Sequence, residues 1–321
     1  MSPVLLTLGE WDIPAYGFFL ALALIVGWTI TGALGRQDRL PVTRLGTAYV
    51  LGAVVGIVVA RGSWLLQHPD HYLGGLSMLS LPPGQLAVFP GLVVALVASA
   101  LYLAAHRIPP TVAWDAAAPG GAAAVLLERL GALLAGTGAG KYAPDLPWAI
   151  RFPEGSAVLE RHASELSDLL APGATESLPV HPTQVYAMGL AAIGLVLCLR
   201  WRRNREFSGQ IMLAYGIYAL VARIFVEEWF RADAAQAVFG PLSGAQVAAV
   251  VLIAALAAVY RARRMRAAGR NDGLRLWEGG RWSPDATSPS ATPAPAATSS
   301  PGAARAGKGS PKKKRKGRKK R

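Results

Sequence analysis

Seven blocks of mostly apolar residues divide this chain, at about 15–34, 45–66, 86–105, 112–135, 184–200, 208–230 and 243–260. A helix needs about 20 such residues to cross the hydrocarbon layer of a bilayer. Backbone in lipid must satisfy its own hydrogen bonds, so blocks of this length leave helices as the expected solution. Length alone, 321 residues, would suit two soluble domains, but 52% of the residues are hydrophobic. The expected fold is therefore all-α, a polytopic membrane protein with seven transmembrane helices.

Orientation is read from the arginines in the short connections, because cytoplasmic loops are enriched in Lys and Arg. The first connection carries Arg36, Arg39 and Arg44, the third Arg107, and the fifth Arg200, Arg202, Arg203 and Arg205. The second, QHPDHYLGGLSMLSLPPGQ, has neither Lys nor Arg, the sixth has Arg231 at its edge, and the chain after the seventh block opens RARRMR. All seven spans then agree on an N-terminus outside and a C-terminus in the cytoplasm. No basic residue precedes the first apolar run, so that span is expected to remain rather than be cleaved as a leader.

Residues 1–265 are expected to form the membrane domain, with an outer-face loop region at 136–183. Residues 266–321 are expected to be a disordered cytoplasmic tail, rich in Pro, Ala, Ser and Thr. The tail ends PKKKRKGRKKR, and positions 305–321 hold eleven Lys or Arg, so the net charge of +14 falls to near +3 without them. A polybasic run can mark a nucleic-acid partner, but this one hangs from a membrane domain beside anionic headgroups worth about 1 kcal/mol per basic residue. Attraction to the lipid surface is the expected role, with no specific nucleic acid as partner. The lone cysteine, Cys198, lies inside the fifth span, where it rules out an intramolecular disulfide and reads as packing.

Charged residues within the spans point to the site. A charge at bilayer depth costs about 2.5–3.5 kcal/mol on insertion scales, so it faces a polar cavity and has a partner. Arg61, the pair Glu128 and Arg129, and the stretch LVARIFVEEWFR with Arg223, Glu227, Glu228 and Arg231 all fall toward the outer ends of their spans. Spacing of four puts Arg223, Glu227 and Arg231 on one helix face, where Glu227 can pair with either arginine. Each could simply snorkel or tie helices together. Several arginines at one depth with few acids favour an anionic ligand, and the planar guanidinium suits a phosphate, which in a membrane belongs to a lipid headgroup. The long fourth connection ends PVHPTQVY, where His181 is either a general base or a structural cap, and Thr183 and Gln184 admit the same two readings.

These segments, in this order over about residues 12–262, resemble the prolipoprotein diacylglyceryl transferases, integral enzymes of the bacterial inner membrane. IPAYGFF is similar to the family's first-helix tyrosine segment and carries Tyr16. VVARGSW matches its Gly-Arg segment and carries Arg61. WDAAAP resembles the start of the family's fourth helix. ERLGALLAGTGAGKY lies over the signature R-x-G-N-F-x-N-x-E-x-x-G, matching Arg129, Gly131 and Gly140. PWAIRFP follows as in the family. VHPTQVY is close to HPSQLYE, matching His181, Pro182, Gln184 and Tyr186. ARIFVEEWFR is similar to R-F-x-x-E-x-x-R, placing Arg223, Glu227 and Arg231, and GPLSGAQ resembles the start of the last helix.

The resemblance implies transfer of the diacylglyceryl group of phosphatidylglycerol to the lipobox cysteine of a prolipoprotein, in a multi-pass protein of the bacterial inner membrane. A thioether forms and glycerol phosphate leaves. It implies that Arg129 and Arg223 stabilise the departing phosphate and that His181 is a candidate base. Glu227 would orient Arg223, Tyr16 would bind headgroup or thiol, and Arg61, Gln184 and Arg231 would join the substrate site. Gly140 would allow a close backbone approach. No cofactor or metal is expected.

The chain departs from the family pattern at several places. Phe89 stands where the family has a histidine before paired glycines, and Pro90 replaces one of those glycines. Ala132 and Ala135 replace the signature's asparagines, Thr137 its glutamate, and Ala187 the glutamate after HPSQLY. Two function classes fit the residues. One is a transferase whose base is His181, or His68 or His71 from the second connection, or which needs none. The other is a paralogue that binds phosphatidylglycerol or lipoprotein precursors without turnover. The matched segments span the whole fold, which favours the transferase. A solute transporter is disfavoured, since neither two similar halves nor paired broken helices are visible.

Overall fold

The computed structural model describes residues 4–8, 11–71, 81, 84–232, 237–239, 242–268, 275–278 and 281–284. It is mostly helical, and seven of its helices are long and apolar enough to cross a membrane. These are α1 (Ala15–Gln37), α2 (Val42–Gln67), α3 (Val88–Ala105), α4 (Pro110–Leu134), α6 (Thr183–Arg203), the run from α7 (Gln210–Leu220) through a π-helical turn (Val221–Glu227) into α8 (Glu228–Phe230), and α9 (Gly244–Ala268). A shorter helix, α5 (Ala157–Glu165), lies in the connection between α4 and α6.

The helix α4 is the hub, packed along α1, α6 and α7, while α2 and α3 form a second pair. Small residues set both close approaches, as expected where apolar lipid removes the hydrophobic drive and contact distance decides. A Cβ on Gly120 would sit 2.5 Å from the Gly27 carbonyl oxygen of α1. One on Gly91 would sit 2.5 Å from the Gly56 carbonyl oxygen of α2. Thr31 turns its hydroxyl back to the Gly27 carbonyl at 2.7 Å, so it adds no unsatisfied polar group to the seam.

Two buried acids tie the far end of the bundle together. Asp38, just after α1, accepts from Arg202 at 2.8 and 3.0 Å and from Arg205 at 3.0 and 3.1 Å. Asp115 of α4 accepts from the backbone N–H groups of Gly209 at 2.7 Å and Met212 at 3.0 Å, capping the start of α7 from another helix. The sequence reading treated WDAAAP only as a helix start and did not count Asp115 among the charges within spans.

The connection between α4 and α6 is a small packed unit. Ala139, Phe152, Val158 and Val180 form its core, with Leu133 and Ile150 against them. Isolated bridges Tyr142 to Val180, Ile150 to Val180 and Pro153 to Glu176 hold its strands of chain together. Ser156 caps α5, accepting from the Leu159 N–H at 3.3 Å. Buried His162 accepts from the Leu178 N–H through Nδ1 at 3.2 Å, and burial holds its pKa below the ordinary value. A ring that must be neutral to accept loses that bond when protonated. The folded state then binds the proton less readily than the unfolded one, so stability contributed here is full above about pH 6.5 and is lost as pH falls below it. The protection factor of the Leu178 amide is expected to fall below that pH, and to lose that pH dependence in His162→Gln.

Three short hairpins complete the description: β1 (Val4–Leu8) with β2 (Trp11–Pro14), β3 (Ala237–Phe239) with β4 (Leu242–Ser243), and β5 (Arg275–Glu278) with β6 (Arg281–Pro284). The last pairs Leu276 with Ser283 and Trp277 with Trp282, inside the stretch expected to be unstructured. Its signal is in the sequence: the Gly279-Gly280 dipeptide between LRLWE and RWSP is a hairpin-turn pattern. The Pro/Ala/Ser-rich run and the polybasic end lie outside the described residues.

Candidate functional site

A groove of about 470 Å³ runs between the two helix pairs. Ala23, Gly52, Ala53, Gly56, Ala60 and Gly91 line its walls, and Leu45, Leu103 and Ala113 lie at the end nearer Asp38. At its opposite end stand Tyr16, Glu128 and Arg129. The small side chains that let the helices approach closely also leave room between them. The outcome is an apolar cleft with charge at one end.

At that charged end the Tyr16 hydroxyl donates to Glu128 Oε1 at 3.4 Å, and Arg129 Nε lies 3.3 Å from Glu128 Oε2. The second contact is close but out of line, so Arg129 Nε is a buried donor without a hydrogen-bond partner. Arg223 donates from Nη1 to Glu227 within the π-helical turn. Glu227 is nearly enclosed, with 8% of its side chain exposed, whereas Arg223 keeps 41% exposed and can meet a ligand. Arg129 and Arg231 both lie near enough for their positive charges to act on Arg223. The remaining acid, Glu228, accepts from the Ser243 hydroxyl of the last span at 2.9 Å.

Arg231 reaches this place by a route the spacing rule did not foresee. The helix ends at Phe230, and Arg231 has extended backbone, φ −77 and ψ 142, bridged to Gly140. It is thus a loop residue and not the next member of an α-helical face with Arg223 and Glu227. The segment also has one residue more between Glu227 and Arg231 than the pattern R-F-x-x-E-x-x-R allows. A π turn, with i→i+5 bonds, takes up one residue more than an α turn and recurs at functional sites.

The loop 137–140 is clamped from two sides. Thr183 donates to the Gly138 carbonyl at 2.7 Å and Gln184 Nε2 to the Thr137 carbonyl at 2.8 Å. Gly140 bonds its N–H to the His181 carbonyl at 3.0 Å, and Lys141 bonds its N–H to the Phe230 carbonyl at 2.8 Å. Gln184 is 1% exposed, so the structure places it as a brace behind the loop and not on the groove wall. The His181 ring stands between Tyr186, whose hydroxyl is 3.4 Å from Nδ1, and Phe230, whose ring centre is 5.1 Å away.

Of the residues singled out in the sequence, Tyr16, Glu128 and Arg129 line the groove, whereas Arg61, Gly140, His181, Gln184, Arg223, Glu227 and Arg231 do not. Arg61 is buried, with Nη1 donating to Gln85 Oε1 at 3.0 Å and its guanidinium 5.2 Å from the Trp64 ring centre. Only its neighbour Ala60 lines the groove wall. His68 stacks on Trp64 at 4.3 Å with Nδ1 3.0 Å from that residue's carbonyl, and the side chain of His71 lies outside the described residues. Phe89 is 60% exposed in the first turn of α3, while Val88, Gly91 and Leu92 face the groove. Ala132 is buried and serves through its carbonyl, which accepts from the Thr137 N–H at 2.9 Å.

Comparison with known proteins gives the same outline. A family model described as prolipoprotein diacylglyceryl transferase matches residues 3–261. The chain is similar to proteins named phosphatidylglycerol–prolipoprotein diacylglyceryl transferase from several bacteria. That of Thermus thermophilus is 30% identical over 233 residues, 70% of this chain and 82% of the relative. That of Rhodospirillum rubrum is 27% identical over 248 residues, 71% and 80% respectively. That of Clostridioides difficile is 24% identical over 253 residues, 78% and 91%. With the match running from the first hairpin through the last span, the chain belongs to the prolipoprotein diacylglyceryl transferase family.

Proposed function

We infer that this protein transfers the diacylglyceryl group of phosphatidylglycerol to the cysteine thiol of prolipoproteins. The observation that carries the reading is the shape of the site: one apolar groove whose charged end holds Arg129, its buried Nε ion-paired with Glu128 but making no hydrogen bond. An anionic diacyl lipid has that same polarity, chains in the groove and phosphate at the arginines. The family match across the whole membrane domain does not favour the non-turnover alternative.

In the reaction, the thiol of the lipobox cysteine gives up its proton and its sulfur attacks the glyceryl carbon that bears the phosphate. The carbon–sulfur bond forms as the carbon–oxygen bond breaks, and the oxygen leaves with the phosphate as glycerol phosphate. A free thiol has a pKa of about 8.5, so it needs a nearby acceptor. His181 is the candidate, since its ring packs against Tyr186 and Phe230 beside the loop that ends at Gly140 and an imidazole nitrogen can accept a proton. Arg129 and Arg223 stabilise the charge that develops on the departing phosphate, Arg231 closes the third side, and Glu227 holds Arg223 in place. Tyr16 and Glu128 orient Arg129.

The arginine pattern of the connections supports a charged end at the outer leaflet, with the C-terminus in the cytoplasm of a bacterial inner-membrane protein. The polybasic end then meets the anionic inner surface. The direct test is transfer of label from phosphatidylglycerol to a lipobox peptide by the purified protein. Labelled peptide is the expected result, and lipid binding without any transfer would overturn the reading.

The groove also makes a prediction about acyl chains. Ala53 lines it and keeps partial exposure, so a larger side chain there fills space the lipid would use. Ala53→Leu is expected to raise KM for long-chain phosphatidylglycerol roughly tenfold, the scale on which pockets sense added methylenes. A short-chain substrate should restore most of the loss.

A further inference from the structure

The π-helical turn that carries Arg223 and Glu227 does not stand alone. The last span begins with a reciprocal cap: the Ser243 hydroxyl accepts from the Gln246 N–H at 3.2 Å, and Gln246 Oε1 accepts from the Ser243 N–H at 2.9 Å. An ordinary cap of this kind would leave the glutamine amide nitrogen to solvent. Here Gln246 is 4% exposed and its Nε2 donates to the Ile224 carbonyl at 3.2 Å, inside the π turn and one residue from Arg223. The Ser243 hydroxyl meanwhile donates to Glu228, the residue that follows the turn.

We propose that Gln246 is a positioning residue for the phosphate site, clamping the π turn at Ile224 while Ser243 clamps it at Glu228, so that Arg223 is held on Glu227 and near Arg129. The inference rests on the transferase reading. A π turn is poorly stable by itself and occurs as a single-turn insert that its surroundings hold in place. If the turn relaxed to α-helix, the extra residue would pass into the segment that follows and every side chain beyond would shift by one position. Arg223 lies inside the turn and Arg231 beyond it, so the slip would change their relative placement. The cap of the last span fixes Gln246 in one rotamer, which makes its amide a rigid donor and not a wandering one.

The test is a double-substitution cycle on the full-length protein, read both as label transfer and as phosphatidylglycerol binding. Gln246→Glu keeps an acceptor for Ser243 N–H but replaces the donor to Ile224 by a second oxygen. It is expected to lower kcat by on the order of 10- to 100-fold, the scale of a small misplacement of a catalytic group. In an Arg223→Lys background the same change is expected to cost less than about 3-fold, because the fork it positions is gone. Equal losses in both backgrounds, or an undiminished kcat in Gln246→Glu, would overturn the proposal. Ser243→Ala, which releases Glu228 and one half of the cap, repeats the cycle should Gln246→Glu fail to fold. If the unsubstituted protein transfers no label, the transferase reading fails separately, and the binding arm of the cycle still decides the role of Gln246.

Discussion

Arg223→Ala is expected to lower kcat for diacylglyceryl transfer by on the order of 10²- to 10³-fold, the cost of removing one fixed donor from a site where charge develops. Three observations set that size. Arg223 is held by a nearly enclosed carboxylate, Glu227, so its direction is fixed before substrate arrives. Its side chain is nevertheless 41% exposed, which leaves donors for a phosphate. It also lies within the positive field of Arg129 and Arg231, so an entering anion meets more than one positive charge. Binding should weaken less than catalysis, because the phosphate gains charge only as the carbon–oxygen bond breaks. Arg223→Lys should recover part of the loss but not the paired hydrogen bonds. Steady-state kinetics with labelled lipid and a lipobox peptide measure the split. Loss confined to KM would show that Arg223 binds the ground state and the transition state equally and would overturn its role in stabilising the departing phosphate.

The bundle was legible in the sequence because its signal is coarse: the bounds of the seven apolar blocks differ from the observed helices by about three residues at most, except that the last helix runs on to Ala268 where the apolar block ends near 260. The arginine cluster was legible in part, since a guanidinium in an apolar run must find a partner wherever the helix places it. Its geometry was not. Counting residues by fours presumes α-helix throughout, and the π turn with the early stop at Phe230 moved Arg231 onto a loop. Gln184 was ambiguous because polar residues at a span's start can bind or brace, and the fold shows its Nε2 bonded to the Thr137 carbonyl while its buried Oε1 makes no hydrogen bond. Asp115 escaped notice for the opposite reason, because its partners are backbone N–H groups that no side-chain pattern announces. The clamp by Gln246 joins residues about one loop apart on two spans, a relation carried by packing and not by spacing.

Gly140→Ala is expected to abolish most transfer, a fall of at least about 10²-fold, while leaving the seven-helix bundle assembled. A Cβ at this position would lie 2.4 Å from the His181 Cβ, 2.6 Å from the His181 carbonyl oxygen and 2.7 Å from the Phe230 carbonyl oxygen. Two of those three atoms are backbone, so no rotamer change can make room and the segments must separate. They are the two segments that carry His181 and Arg231, and the Gly140–Arg231 bridge and the Lys141 bond to Phe230 would open with them. Overpacking of this sort costs about 1–3 kcal/mol locally. The three atoms nearest the added methyl belong to His181 and Phe230, none of them to α1, α2, α3 or α4. The thermal midpoint in detergent should therefore move little while activity collapses. Gly131→Ala offers the contrast, because its Cβ would meet Phe19 Cβ at 2.8 Å within the α1–α4 seam and should disturb the bundle itself. Wild-type turnover in Gly140→Ala would mean that the approach of the two segments is dispensable and that His181 and Arg231 act independently of the loop between them.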